Sequence, residues 1–124
     1  MNNYFVILSM MFLHIIDDFV LQTFWFSYWK QKKTWDDLTK DRKYRFDYIC
    51  ALYLHSFSWA FMVMLPIAHT MRFQVSGLFV FILILNMLIH AWVDDMKANK
   101  RKLNLWQDQL IHIWQISMIS AIFL

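Results

Sequence analysis

Residues 4–29 read YFVILSMMFLHIIDDFVLQTFWFSYW. The run exceeds the ~20 residues that a helix needs to cross the hydrocarbon of a bilayer, yet His14, Asp18 and Gln22 stand inside it. His14 and Asp18 are four residues apart, so on a helix they share one face with Cβ atoms ~5–6 Å apart. A carboxylate without a partner costs at least ~2.5 kcal/mol at the centre of a spanning helix, so this face must meet another polar face. The segment has no basic leader and no small-residue cleavage site, and it reads as a mature helix rather than a secretion signal.

Three further apolar runs follow, over residues 46–68, 73–93 and 105–124. With 60% apolar and 19% aromatic residues among 124, the chain is expected to be a single all-α transmembrane domain over 1–124: an integral membrane four-helix bundle with helices about 4–29, 46–68, 73–93 and 105–124. Gly77 is the only glycine, which excludes glycine-rich phosphate loops, dinucleotide fingerprints and GxxxG helix pairing. The single Cys50 excludes an intramolecular disulfide and every multi-cysteine zinc motif.

The net charge of +3 does not form a nucleic-acid face, and no nucleic-acid partner is expected. Seven of the twelve basic residues lie between Lys30 and Arg45 and four between Lys97 and Lys102. The positive-inside rule makes both connections cytoplasmic and places both termini on the non-cytoplasmic side of the membrane. Trp25, Trp29, Trp35, Trp92 and Trp106 fall near the proposed cytoplasmic ends, where amphipathic rings favour the interface. The charged loop 30–45 suits the headgroup layer, with room for a short interfacial helix.

The four-residue spacing of the first run recurs. His90 and Asp94 repeat it in the third run and Asp108 and His112 in the fourth, while His55 lies within the second. Counting ~1.5 Å per residue from the cytoplasmic ends puts these groups between the bilayer middle and the cytoplasmic surface, with Asp94 at the boundary itself. One pocket can hold them, which gives a polar, metal-binding core in the cytoplasmic half. The ligand pool is His14, Asp18, His55, His90, Asp94, Asp108 and His112. Gln22, one turn past Asp18, and Asn86, one turn before His90, are expected to accept from the far imidazole nitrogens, with Gln109 beside Asp108. Lys97 continues the face of Asp94 to the membrane edge, where it holds an anionic substrate group or snorkels. Asp17 points about 100° away from Asp18 on a regular helix. Mixed imidazole and carboxylate donors suit a divalent metal, zinc first, with manganese and iron as alternatives; the chief rival is a buried acid–imidazole proton relay.

The order of these motifs resembles the bacterial and phage membrane family catalogued as domain of unknown function 3307. The stretches that carry the resemblance are LHIIDDFVLQT around His14 and Asp18, ALYLHSF around His55, LIHAWVDDMK around His90 and Asp94, and DQLIHIW around Asp108 and His112. It implies a small polytopic membrane protein. In its HxxxD helices the chain is also similar, more loosely, to membrane-bound metal-dependent hydrolases.

The expected function is a metal-dependent hydrolase at the cytoplasmic membrane face, acting on a small-molecule, lipid or phosphorylated substrate. Bound metal would acidify a water and polarise the scissile group, and a carboxylate not bound to it, Asp17 or Asp94, would be the general base. Two non-enzymatic readings stand beside it. One is a transporter or a homo-oligomeric ion or proton channel, and the other is a structural or regulatory membrane protein whose metal only staples the helices and whose basic loop binds a partner or anionic lipid.

Overall fold

The computed structural model describes residues 2–124, and all their regular structure is helical. α1 (Asn3–Ile15) starts where the Asn2 side chain accepts from the Tyr4 N–H at 2.9 Å, and it runs on into a π-helical turn, Ile16–Leu21. Two short helices follow, α2 (Phe24–Trp29) and α3 (Lys32–Leu38), then a 3₁₀ turn (Arg42–Tyr44). The long helices α4 (Asp47–Thr70), α5 (Gly77–Ala98) and α6 (Leu105–Phe123) complete the chain.

The single helix expected over 4–29 is broken. The Gln22 N–H bonds to the Asp17 carbonyl at 2.9 Å, which closes a ring five residues back, and the Thr23 hydroxyl then accepts from the Phe26 N–H to start α2. The charged connection, expected as a loop with room for a helix, contains α3. The third helix is shifted towards its C-terminus relative to 73–93. It begins only after Ser76, whose hydroxyl accepts from the Phe79 N–H at 3.2 Å, and it continues to Ala98. Asp94 is therefore inside α5 and not at its boundary. α6 starts on a capping box in which the side chains of Asn104 and Gln107 bond each other's backbone N–H groups, satisfying two donors that a helix start otherwise leaves open.

Three segments are long and apolar enough to cross a membrane: Asn3–Leu21, Arg42–Thr70 and Gly77–Ala98. α6 is not among them. It carries Gln107, Asp108, Gln109, His112 and Gln115, which lower its hydropathy, but Asp108, His112 and Gln115 are buried while its Leu110, Trp114 and Met118 are exposed. The same inversion runs through the molecule, with Phe5, Leu8, Phe12 and Phe81 facing out and the imidazoles of His14, His55, His90 and His112 facing in.

α1 lies antiparallel to α6: the Asn3 side chain donates to the Leu124 carbonyl at 3.3 Å at one end, and His14 meets Gln109 at the other. Val6, Met10, Trp59, Val63, Met64, Ile67, Ile116 and Ile119 fill the space between α1, α4 and α6, and Phe79 and Ile82 of α5 join them. The buried polar residues occupy the opposite end, beneath α2 and α3.

Candidate metal centre

Each element delivers part of the polar cluster. The π turn supplies Asp17 and Asp18, α4 supplies His55, Ser58 and Trp59, α5 supplies Asn86, His90, Asp94 and Lys97, and α6 supplies Asp108, Gln109, His112 and Gln115. On a regular helix Asp17 would turn away from Asp18. The wider π turn brings both inward, and Asp17 is 1% exposed. Such π turns are often found at functional sites.

Four donor atoms converge. His55 Nε2 lies 3.5 Å from Asp18 Oδ1, 3.5 Å from Asp94 Oδ2 and 3.2 Å from His90 Nε2. His90 Nε2 in turn lies 4.0 Å from Asp18 Oδ1 and 3.8 Å from Asp94 Oδ2. A tetrahedral zinc or similar ion, bound at ~2.0–2.2 Å, separates its ligands by ~3.4 Å, so these groups stand close to coordinating distance. Two overlapping sets, Asp18–His55–His90 and His90–Asp94–His112, each bring one donor atom per residue within 4.8 Å of the others. The buried His and Asp groups could hold a metal ion.

Hydrogen bonds fix which imidazole nitrogens carry lone pairs. The Gln115 amide nitrogen donates to Asn86 Oδ1 at 3.1 Å and to its carbonyl at 3.3 Å, so the Gln115 oxygen is left to accept from His112 Nδ1–H at 3.1 Å. His112 Nε2 then points a lone pair at the cluster, 3.3 Å from Asp108 Oδ1. Both atoms are buried without a hydrogen-bond partner among the described residues. A lone pair facing a carboxylate oxygen is repulsive unless a cation or a proton lies between them.

His14, placed in the ligand pool by its spacing, stands outside both sets. Its Nδ1 accepts from the Trp59 indole N–H at 2.8 Å. Its Nε2–H donates to the Gln109 oxygen at 3.0 Å, because the Gln109 amide nitrogen is committed to Asp18 at 3.3 Å and Asp108 at 3.2 Å. With both nitrogens engaged, His14 orients Gln109, and Gln109 links the two carboxylates. Trp59 also stacks on His90, with ring centroids 4.4 Å apart, and the His112 ring packs against both, 4.3 Å from His90 and 5.2 Å from Trp59.

Asp17 sits behind His55, with Oδ2 3.7 Å from Nδ1 and Oδ1 accepting from the Ser58 hydroxyl at 2.6 Å. At 3.7 Å the carboxylate is beyond hydrogen-bond range of Nδ1, and Oδ2 is buried without a partner among the described residues. Asn86 does not bond His90 and reaches His112 through Gln115. Gln22 lies at the helix break, where it lines a cleft of about 100 Å³ with Asp17, His55 and Ser58 and another of about 170 Å³ with Lys30, Asp94 and Lys97.

Lys97 does not snorkel freely, because its ammonium pairs with Asp108 Oδ2 at 2.5 Å. Sequence reasoning missed Lys30, Gln115 and Trp59. Lys30 is buried and ion-paired with Asp94, although in the sequence it looks like the first residue of a surface charge run. Four carboxylates, Asp17, Asp18, Asp94 and Asp108, face two ammonium groups, Lys30 and Lys97, so with all four ionised the cluster carries charges of four against two. With neutral imidazoles, two negative charges are left over, the complement of one divalent cation.

Comparison with protein-family models, with curated proteins and with solved structures finds no match to this chain.

Proposed function

We propose that the chain is a four-helix integral membrane bundle holding a divalent metal near its cytoplasmic end, and that it acts there as a metal-dependent hydrolase. In this reading it is similar to the family catalogued as domain of unknown function 3307, α6 is the fourth span, and both termini lie outside the cytoplasm. The exposed Leu110, Trp114 and Met118 of α6 support a lipid-facing side, since its polar residues turn inward.

The observation that carries the metal is the excess of carboxylates over ammonium groups in the cluster together with the lone pair of His112 aimed at Asp108. The proposed ligands are Asp18, His55, His90 and Asp94, with His112 and Asp108 adjoining. A bound divalent ion supplies a water acidic enough to ionise near neutral pH and a Lewis acid for the scissile group. Asp17 Oδ2, 3.7 Å from His55 Nδ1, would select the tautomer that presents Nε2 if metal binding drew the two within hydrogen-bond reach. The clefts beside Asp17 and Asp94 give a substrate two approaches to the cluster, and the one lined by Lys30 and Lys97 favours an anionic group.

Hydrolysis fits this layout better than conduction. The polar network ends at Asn86 and Gln115, and beyond them lie Val63, Ile67, Ile116 and Ile119, each at most 1% exposed. An ion or proton path through one chain would have to cross that apolar plug.

The test begins with elemental analysis of detergent-purified protein alongside His90→Ala and Asp18→Ala, where metal is expected in the parent protein and lost from both variants. Phosphate esters, lipids and peptides are then assayed with and without chelator. Metal-dependent product supports the hydrolase. Metal without turnover on any of the three classes, or ion flux in liposomes, overturns it.

A further inference from the structure

The densest charge run of the sequence folds around a groove. α3 and the 3₁₀ turn after it enclose about 340 Å³ lined by Lys32, Trp35, Lys40, Arg42, Tyr44 and Arg45, with Asp36, Thr39 and Asp41 also contributing. Its walls are built: the Trp35 and Tyr44 rings stack with centroids 6.4 Å apart and planes 15° from parallel. The Trp35 indole also donates to the Trp29 carbonyl at 2.9 Å, which ties the groove to α2.

Its positive charge is only partly compensated, the Lys40 ammonium donating to the Asp36 carbonyl at 3.2 Å. Among the described residues, the ion pairs of Lys side chains engage Lys30, Lys43, Lys97 and Lys100, and no carboxylate oxygen lies within 4.0 Å of the charged nitrogens of Lys32, Lys40, Arg42 or Arg45. Asp41 is already held by Lys43, at 3.6 Å through the side chain and 3.0 Å through its N–H. Four cations therefore face one uncommitted acid, Asp36. Next to them stand exposed apolar side chains: Leu38 ends α3, and Phe46 lies directly before α4 with Arg45 over its ring at 5.4 Å.

We infer that this groove binds the phosphate of an anionic phospholipid headgroup. Phosphate oxygens match lysine and arginine donors, and clusters of basic residues at the end of a spanning helix bind anionic lipid in this way. A soluble phosphate would use the same cations but has no use for Leu38 and Phe46, whereas a lipid places its acyl chains against them. The inference does not depend on the metal centre.

Native mass spectrometry of the full chain in a neutral detergent tests it, with phosphatidylglycerol, phosphatidylcholine and inorganic phosphate as separate titrants. Arg42→Gln with Arg45→Gln is compared with Lys33→Gln with Lys102→Gln, which removes the same charge from exposed residues that do not line the groove; circular dichroism checks that each keeps its helices. Each cation near an anionic lipid contributes about fivefold, so the groove pair is expected to weaken phosphatidylglycerol binding about 25-fold and the control pair less than about threefold. Equal weakening by both pairs, equal binding of phosphatidylcholine, or displacement of phosphatidylglycerol by an equal concentration of inorganic phosphate overturns the assignment.

Discussion

The same four long helical segments build two interiors of opposite character. Near the chain ends, Val6, Met10, Val63, Ile67, Ile116 and Ile119 pack into one apolar cluster. At the other end, four carboxylates, four imidazoles and two ammonium groups interlock, and several of their atoms have no hydrogen-bond partner. Apolar contacts are non-directional and tolerate small shifts. The polar contacts are directional, and each lost partner leaves a buried group exposed to the full cost of desolvation. The apolar end therefore holds the fold, whereas the polar end is arranged for something that completes it. If the two ends are separable in this way, a substitution in one should leave the other's property intact.

The largest effect is expected at His90, shared by both potential ligand sets. His90→Ala should weaken metal binding by more than the ~100-fold upper range for losing an outer-shell partner, as read by elemental analysis after dialysis, while circular dichroism still shows a helical protein. A variant that keeps the parent metal content would break the assignment of His90. Ile116→Ala makes the complementary test. It should lower unfolding stability by ~2–5 kcal/mol in a denaturant titration of the detergent-solubilised protein, with metal affinity unchanged within about twofold, since no Ile116 atom belongs to the cluster. A tenfold loss of metal affinity in Ile116→Ala would show that the two ends are one cooperative unit.

Much of this division was legible in the sequence. His90 and Asp94 share a face because α5 is regular there, and four-residue spacing says so without coordinates. Asp17 was illegible because its expected direction rests on a regular helix through residue 29. The π turn and the break at Gln22–Thr23 change which of two adjacent carboxylates face inward, and no apolar periodicity marks a turn closed five residues back. Lys30 was hidden for a related reason. Charge counting groups it with six other basic residues, but the chain reverses after the break and carries its side chain back to Asp94. Gln115 could have been found, since an amide three residues after His112 in an apolar run lies on the same helical face. The fourth apolar run illustrates the limit of hydropathy: α6 has its polar residues turned inward, so mean hydropathy understates how apolar its outer face is.

Gln115 sharpens the comparison at an intermediate scale. Gln115→Leu removes the acceptor that fixes the His112 tautomer while keeping a similar volume at a 1% exposed position. Metal affinity should fall ~10–100-fold, as for other outer-shell partners of ligating histidines. Calorimetric titration of metal into apoprotein checks this. An unchanged affinity would mean that His112 lies outside the coordination sphere, leaving Asp18, His55, His90 and Asp94 as the complete set.

Trp59 gives the smallest expected effect and the closest test of the border, because it belongs to both interiors. Its ring packs in the apolar core and stacks on His90 at 4.4 Å, while its indole N–H holds His14 Nδ1 at 2.8 Å. Trp59→Phe keeps an aromatic face and deletes the donor. The freed His14 lone pair is buried, so stability should fall by ~1–3 kcal/mol. The ligands themselves are untouched; His14 acts on Asp18 only through Gln109, so metal affinity should drop by less than about tenfold. Both measurements should therefore move, each by less than in the variant specific to its own region. If affinity fell as far as in Gln115→Leu, the chain from Trp59 through His14 and Gln109 would be fixing Asp18 as firmly as Gln115 fixes His112. The border between the two interiors would then lie one helical turn deeper in the apolar half.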